Sequence, residues 1–376
     1  MNKITKYSTL LAVAGTAFMM QACGDDSGSS VTPPEPVKVS IAGVVFGSDY
    51  KTGELRWIDK EDGSISEKSL SFYQDSKVIS NEADLYVLER MTVDNITKID
   101  PDKLESDGED AVVWQVSLDD GSNPVDMAFE GKQAWVALQN ADSLVKISTE
   151  DGKIKKSIKI GEFAYEGASS PYVADIELDD GNLYVLMQRY SQDENYVVTY
   201  PNKGLLAIYD ASSGELKDTV QLKTKNPSTL AVVDGKVYVA THGEYNDAYG
   251  TDADNKRGIE KVNVSKKKSE LLVSGEDLGG GITFMVVEDE VAYVSINLGY
   301  DANFAAVQAL KKVDLSSKEV SEIEGFTDMS GSMAIEDGKL YVGDRTASKV
   351  LVWNGEKKKS LDQPKGVLAP YSIALF

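Results

Sequence analysis

One phrase returns along this chain and constrains its fold more than any other feature. It is a Pro- or Gly-led apolar stretch, a turn of Asp-Gly type, and a second apolar stretch around an aromatic residue and valine. It reads NPVDMAFEGKQAWVAL from Asn123, SPYVADIELDDGNLYVLM from Ser170 and NPSTLAVVDGKVYVAT from Asn226. It recurs as GGITFMVVEDEVAYVS from Gly280 and SGSMAIEDGKLYVGD from Ser330, with an incomplete copy, SKVISNEADLYVLE, from Ser76. Two strand-length apolar stretches around a Gly/Asp turn are the signature of a β-hairpin. A second hairpin follows each copy, as in GLLAIYDASSGELKDTVQL from Gly204 and DSLVKISTEDGKIKKSIKI from Asp142.

Hairpin plus hairpin makes four strands per unit, and the spacing counts the units. The second-strand aromatics Tyr86, Trp135, Tyr184, Tyr238, Tyr293 and Tyr341 lie 49, 49, 54, 55 and 48 residues apart. Units of this size are those of a β-propeller; a sandwich lacks the long period, and a solenoid uses shorter repeats. Six units are visible, and the ends supply a seventh. APYSIALF from Ala369 matches a first strand, and the stretch from Val39 matches the other three. The sequence therefore predicts an all-β, seven-bladed propeller of four-stranded blades over 39–376, closed by the C-terminal strand completing the N-terminal blade.

The Pro-led first strand, the Asp-Gly turn, the LYV or VYV second strand and the Asp-x-x-(Ser/Thr)-Gly turn resemble the YVTN-type β-propeller repeat family. Tyr238-Val239-Ala240-Thr241 comes nearest to the signature itself, followed by Tyr341-Val342-Gly343-Asp344. The resemblance implies a propeller of the kind found on bacterial surfaces and in the periplasm. It implies little about activity, because one such fold hosts many functions.

In a four-stranded blade, the loop from second to third strand opens on the face where the chain also crosses to the next blade. Three of these loops are long: residues 189–203, 242–257 and 297–306, from consecutive blades 4, 5 and 6. They concentrate Tyr190, Tyr196, Tyr200, Tyr245, Tyr249, Tyr300 and Phe304 among Asn and Asp. Aromatic faces beside amides and carboxylates suit a sugar ring or a protein partner. Four residues beyond each second-strand aromatic stands a polar residue: Arg90, Gln139, Gln188, His242, Asn297 and Arg345, with Asp49 the equivalent in blade 1. These positions, together with Arg189, predict a polar rim, which either meets a ligand or simply marks where strands leave the sheet.

The composition bounds the chemistry. His242 is the only histidine, so a multi-histidine metal centre and paired-histidine haem ligation are excluded, and no G-x-S-x-G elbow occurs. The segment from Asp252 to Gly258 looks like a calcium loop, but Lys256 falls where an EF-hand places an oxygen ligand. No metal and no cofactor are expected. Carboxylates can perform acid/base chemistry without histidine, so Glu244, Asp247, Asp252, Asp254 and Asp301 keep a propeller-based hydrolase or lyase open as the alternative to a non-catalytic binding module.

Cys23, the only cysteine, follows Lys3, Lys6 and the apolar run from Leu10 to Met20, which is too short to span a bilayer. Met20-Gln21-Ala22-Cys23 resembles a bacterial lipobox, which implies a signal peptide over 1–22 and lipid attachment at Cys23. Residues 24–38 are Gly, Ser, Pro and acid, the composition of a flexible tether. Gly24 after the cysteine favours the outer membrane in the lipoprotein sorting pattern. A net charge of −22 repels nucleic acid. The expected partners are therefore the membrane, through the lipid, and a glycan or envelope protein met by a monomeric body.

Overall fold

A computed structural model describes residues 40–46, 52–59, 64–81, 84–104, 109–194, 197–247, 249–302, 306–345, 349–361 and 370–375, with backbone alone for 40–46, 109, 330 and 332. The expectations for Cys23, the leader, the tether, Asp49, Tyr196 and Phe304 lie outside the described residues.

The fold is an all-β propeller of four-stranded antiparallel blades. Six sheets are each built from successive strands of the chain. Blade 3 shows the pattern: Pro124–Glu130, Gln133–Leu138, Ser143–Ser148 and Ile154–Lys159, from innermost to outermost. A further four-stranded sheet is composite. Pro370–Leu375 pairs with Ser40–Phe46, which pairs in turn with Thr52–Asp59 and then Leu70–Tyr73. Its innermost strand packs between those of the flanking sheets, Met329–Glu336 and Ser76–Asn81.

Each unit turns where its chemistry allows. Asp234-Gly235 and Asp337-Gly338 both adopt positive φ, the two-residue geometry that matches strand twist. Asp289-Glu290 makes the same turn without glycine, at φ 48° and 60°. Glu290 accepts this less favourable backbone while its carboxylate pairs with Lys236 of the preceding blade.

The core lies between blades rather than under one sheet. Trp135 is fully buried among residues of blades 3 and 4, and its indole Nε1 donates to the Ala211 carbonyl at 2.9 Å. The Lys146 ammonium reaches the same carbonyl at 3.0 Å and lies over the indole. Around the central channel, polar side chains at or near bulges of the innermost strands cap amides of the following blade. Asp175 accepts from the Leu230 amide at 2.8 Å, and Ser372 accepts from the Val78 amide at 3.1 Å. Asp126 Oδ2 accepts from the Ile176 amide at 3.4 Å, so both buried carboxylates cap a buried N–H, which left uncapped costs about 1–3 kcal/mol.

Candidate binding face

One backbone contact positions the polar rim. The amides of Arg90, Gln139, Gln188, His242 and Arg345 donate, each at 2.9 Å, to the carbonyls of Asp75, Asn123, Tyr172, Asn226 and Asp328. Each acceptor sits just before an innermost strand, so five blades hold their rim residue at one height. Asn123, Tyr172 and Asn226 carry positive φ to make the contact, a conformation asparagine tolerates better than most residues.

The side chains then join into an arc. Asn123 Oδ1 accepts from the Met91 amide at 3.2 Å, while its Nδ2 donates to Gln139 Oε1 at 2.7 Å. Gln139 Nε2 donates to Gln188 Oε1 at 3.5 Å, and Gln188 Nε2 donates to Asn226 Oδ1 at 2.8 Å. Asn226 Nδ2 donates to the Gly243 carbonyl at 3.0 Å. Beside it, His242 Nδ1 lies 3.1 Å from the same carbonyl, which only accepts, so Nδ1 carries the proton. Nε2 is then the acceptor for Asn297 Nδ2 at 3.0 Å. Burial depresses the imidazole to about 4 and the neighbouring Arg257 guanidinium adds to the effect, outweighing the Gly243 contact that works the other way. The ring is therefore neutral near pH 7.

This arc runs from blade 2 to blade 6, and its members largely satisfy one another. Arg90 and Arg345 stand at either side of the composite sheet with their own partners, Asp75 at 3.4 Å and Asp328 at 3.7 Å. Arg90, Gln139, Gln188 and Arg345 also line a central cavity of about 450 Å³. The positions four residues past the aromatics thus share one backbone contact in five blades. The arc's relays, Asn123 and Asn226, went unnoticed, although the Asn-Pro lead of two repeats was their visible sign.

The long loops are built, not loose. Ser191–Gln192 pairs with Val198–Thr199, so the blade 4 insertion is a small hairpin. The blade 6 insertion continues the blade's own strands, with Gly299 opposite Val307 and Tyr300 opposite Ala306. The blade 5 loop is organised by Arg257, which is buried. Its guanidinium binds Asp254 at 3.0 Å and the carbonyls of His242 and Glu244 at 3.2 and 2.9 Å. Thr251 ties this loop to blade 6 through the Asn297 carbonyl at 2.8 Å. Gly250 sits against the backbone of Leu298 and Gly299, so close that a Cβ there would stand 2.7 Å from the Gly299 nitrogen.

The aromatic residues divide into two sets. Tyr190 stacks on Tyr172 with centroids 3.6 Å apart and meets the buried Tyr200 edge-on; burial pushes both phenols of the Tyr190–Tyr200 pair up. Arg189 spends its Nε on the Phe163 carbonyl at 2.8 Å. These three hold the loop base. Tyr245, Tyr249 and Tyr300 are 55%, 71% and 51% exposed, and Tyr245 packs on the His242 ring at 4.5 Å. Val197 and Val198 are exposed on the blade 4 insertion and Leu298 on that of blade 6. They add apolar surface to segments that are otherwise rich in Asn and Asp.

The loop carboxylates do not converge. Asp247, Asp252 and Asp301 are exposed, Glu244 pairs with Lys225 at 2.8 Å, and Asp252 accepts from Asn246 at 3.1 Å. Asp254 is taken by Arg257, which leaves the calcium-like segment with a guanidinium at its carboxylate.

No family model and no curated protein matches the sequence. Solved structures do match. AztD from Citrobacter koseri is 12% identical with a TM-score of 0.53, over 90% of this chain and 98% of that one. The Pan2 WD40 domain from Neurospora crassa is 12% identical with a TM-score of 0.53, over 78% and 80%. The dihydro-heme d1 dehydrogenase NirN in complex with DHE is 12% identical with a TM-score of 0.50, over 91% and 75%. At such identities the likeness is one of fold: this chain is a β-propeller.

Proposed function

We propose that this protein is a non-catalytic binding module that meets a glycan or an envelope protein through the loops of blades 4 to 6. The observation that carries the reading is the exposed set Tyr245, Tyr249 and Tyr300, with Val197, Val198 and Leu298 beside it, on insertions that are tied down by hydrogen bonds. Contiguous exposed apolar side chains on a rigid base are the mark of an interaction site, since a monomer gains nothing from leaving them wet. The splayed loop carboxylates favour this reading over a hydrolase or lyase. The rim residues Arg90, Gln139, Gln188, His242, Asn297 and Arg345 border the same face and complete the candidate site.

Three further statements belong to the same reading. The composite sheet acts as a seventh blade that closes the ring, supported by the contacts of its innermost strand on both sides. The repeats are of YVTN type. The body is a monomer held by a lipid on Cys23 to a bacterial outer membrane, with no nucleic-acid partner.

The test is calorimetry of the full chain against soluble oligosaccharides and envelope extracts, followed by Tyr245→Ala/Tyr249→Ala/Tyr300→Ala. At about 1 kcal/mol per aromatic contact, the triple variant weakens binding on the order of a hundredfold. Unchanged affinity places the site elsewhere, and turnover of a saccharide by the wild type, abolished by Asp252→Asn/Asp301→Asn, replaces the module with the enzyme.

A further inference from the structure

The opposite face carries a feature of another kind, and it is independent of the aromatic loops. Strands alternate in direction within each blade, so the face away from the long loops carries the short hairpin turns. Ser40 begins a strand in which Ile41 pairs with Leu375 at the far end of the innermost strand. Ser40 therefore lies on the hairpin-turn face.

At the junction of blades 4 and 5 the molecule opens into a cleft of about 890 Å³ lined by Lys223, from the crossing between the two blades, and by Lys236, Lys261, Lys266 and Lys268 of blade 5. Glu270 is the one carboxylate among the lining residues. In a chain with a net charge of −22, this cleft is lined by five lysines and one carboxylate. Lys236 is committed to Glu290, and Lys261 lies over the Tyr238 ring at 5.8 Å. Among the described residues, the ammonium groups of Lys223, Lys266 and Lys268 have no carboxylate within 4.0 Å. Neighbouring Lys267 pairs with Asp218 at 2.9 Å.

The walls are fixed. The buried Glu260 carboxylate accepts from the amides of Lys223 and Thr224 at 2.8 and 2.9 Å and from the Thr224 and Ser269 hydroxyls, which anchors both sides of the cleft and offsets one lysine. In the turn below, Asn263 Oδ1 accepts from the Ser265 hydroxyl at 3.0 Å and the Lys266 amide at 2.9 Å, which leaves the Asn263 amide nitrogen as a donor.

We propose that this cleft binds a phosphate-bearing anion. Three uncommitted ammonium groups, each with three rotatable donors, match a group that offers several charged oxygens without a fixed planar geometry. The same chemistry is offered by a phospholipid headgroup and by a soluble phosphate.

The test uses the full chain in non-ionic detergent with two probes, pyrophosphate and micelles doped with phosphatidylglycerol. Binding is followed by calorimetry and phosphorus NMR line width. The cleft variant is Lys223→Gln/Lys266→Gln/Lys268→Gln. The control, Lys132→Gln/Lys153→Gln/Lys318→Gln, removes equal charge from exposed turns elsewhere on this face. Saturable binding is expected to fall at least about tenfold in the cleft variant, to change less than about twofold in the control, and to weaken with salt. Binding of doped micelles alone identifies a headgroup site, and binding of both probes identifies a phosphate site as such. Equal losses in the two variants, or saturable binding of neither probe, overturn the proposal and leave the aromatic-loop reading untouched.

Discussion

The two faces of the propeller are made from the same hairpins and differ in what those hairpins carry. On one face, second-to-third loops in blades 4 to 6 rise into ordered insertions, and those of blades 5 and 6 carry exposed tyrosines. On the other, blades 3 to 6 turn in two to five residues, and several of these turns display lysines. Insertions are tolerated where a loop is braced by its neighbours, as Thr251 and Arg257 brace the blade 5 loop, and short turns leave no room for such bracing. Fold and recognition are therefore separable here: the packing between blades sets stability, and the faces can vary around it.

The separation breaks first at a blade interior. Trp135→Ala empties a fully buried site between blades 3 and 4 and removes the indole contact to Ala211, at an expected cost of about 3–5 kcal/mol measured by denaturant unfolding. A loss below about 1 kcal/mol would show that the blades are not coupled through this residue.

A smaller effect sharpens the boundary between rim and core. His242 is neutral when folded, with its imidazole held at about 4 against an ordinary 6.5. The unfolded chain thus binds more protons between those values, so this residue's contribution is intact above pH 6.5 and is lost as pH falls toward 4. The full loss is about 3 kcal/mol. Urea unfolding at pH 7 and pH 4.5 should show a steeper drop for wild type than for His242→Asn; parallel slopes would mean the histidine is solvated.

The smallest expected change is on the tyrosine face itself. Tyr249→Ala/Tyr300→Ala should move folding stability by no more than about 0.5 kcal/mol per site, because exposed side chains contribute little, with Tyr245→Ala adding somewhat more through its contact with the His242 ring. A larger loss, read from the thermal midpoint, would make these rings part of the fold and weaken their assignment to a partner.

Much of this was legible in the residues. The aromatic spacing and the Asp-Gly turns marked four-stranded units, and the fourth residue past each aromatic marked the rim. Loop length marked the three insertions. What escaped was how each loop residue is used. Tyr190 and Tyr200 read the same as Tyr245 and Tyr249 in sequence, yet one pair braces the hairpin and the other faces water. Arg189 looked like a binding residue and holds a carbonyl. The lysines around the blade 4–5 cleft looked like scattered charge, since Lys223 and Lys268 are separated by 44 intervening residues and by a blade boundary.

The sequence by itself determined the repeat, because period, alternation and turn residues are local and each unit restates them. Only the tertiary structure decided which polar groups complete one another. Hydrogen bonds such as Gln188 to Asn226 and His242 to Asn297, and the gathering of five lysines at one junction, depend on blades packing side by side. Those distances are set by the ring of sheets and by no stretch of chain within a single unit.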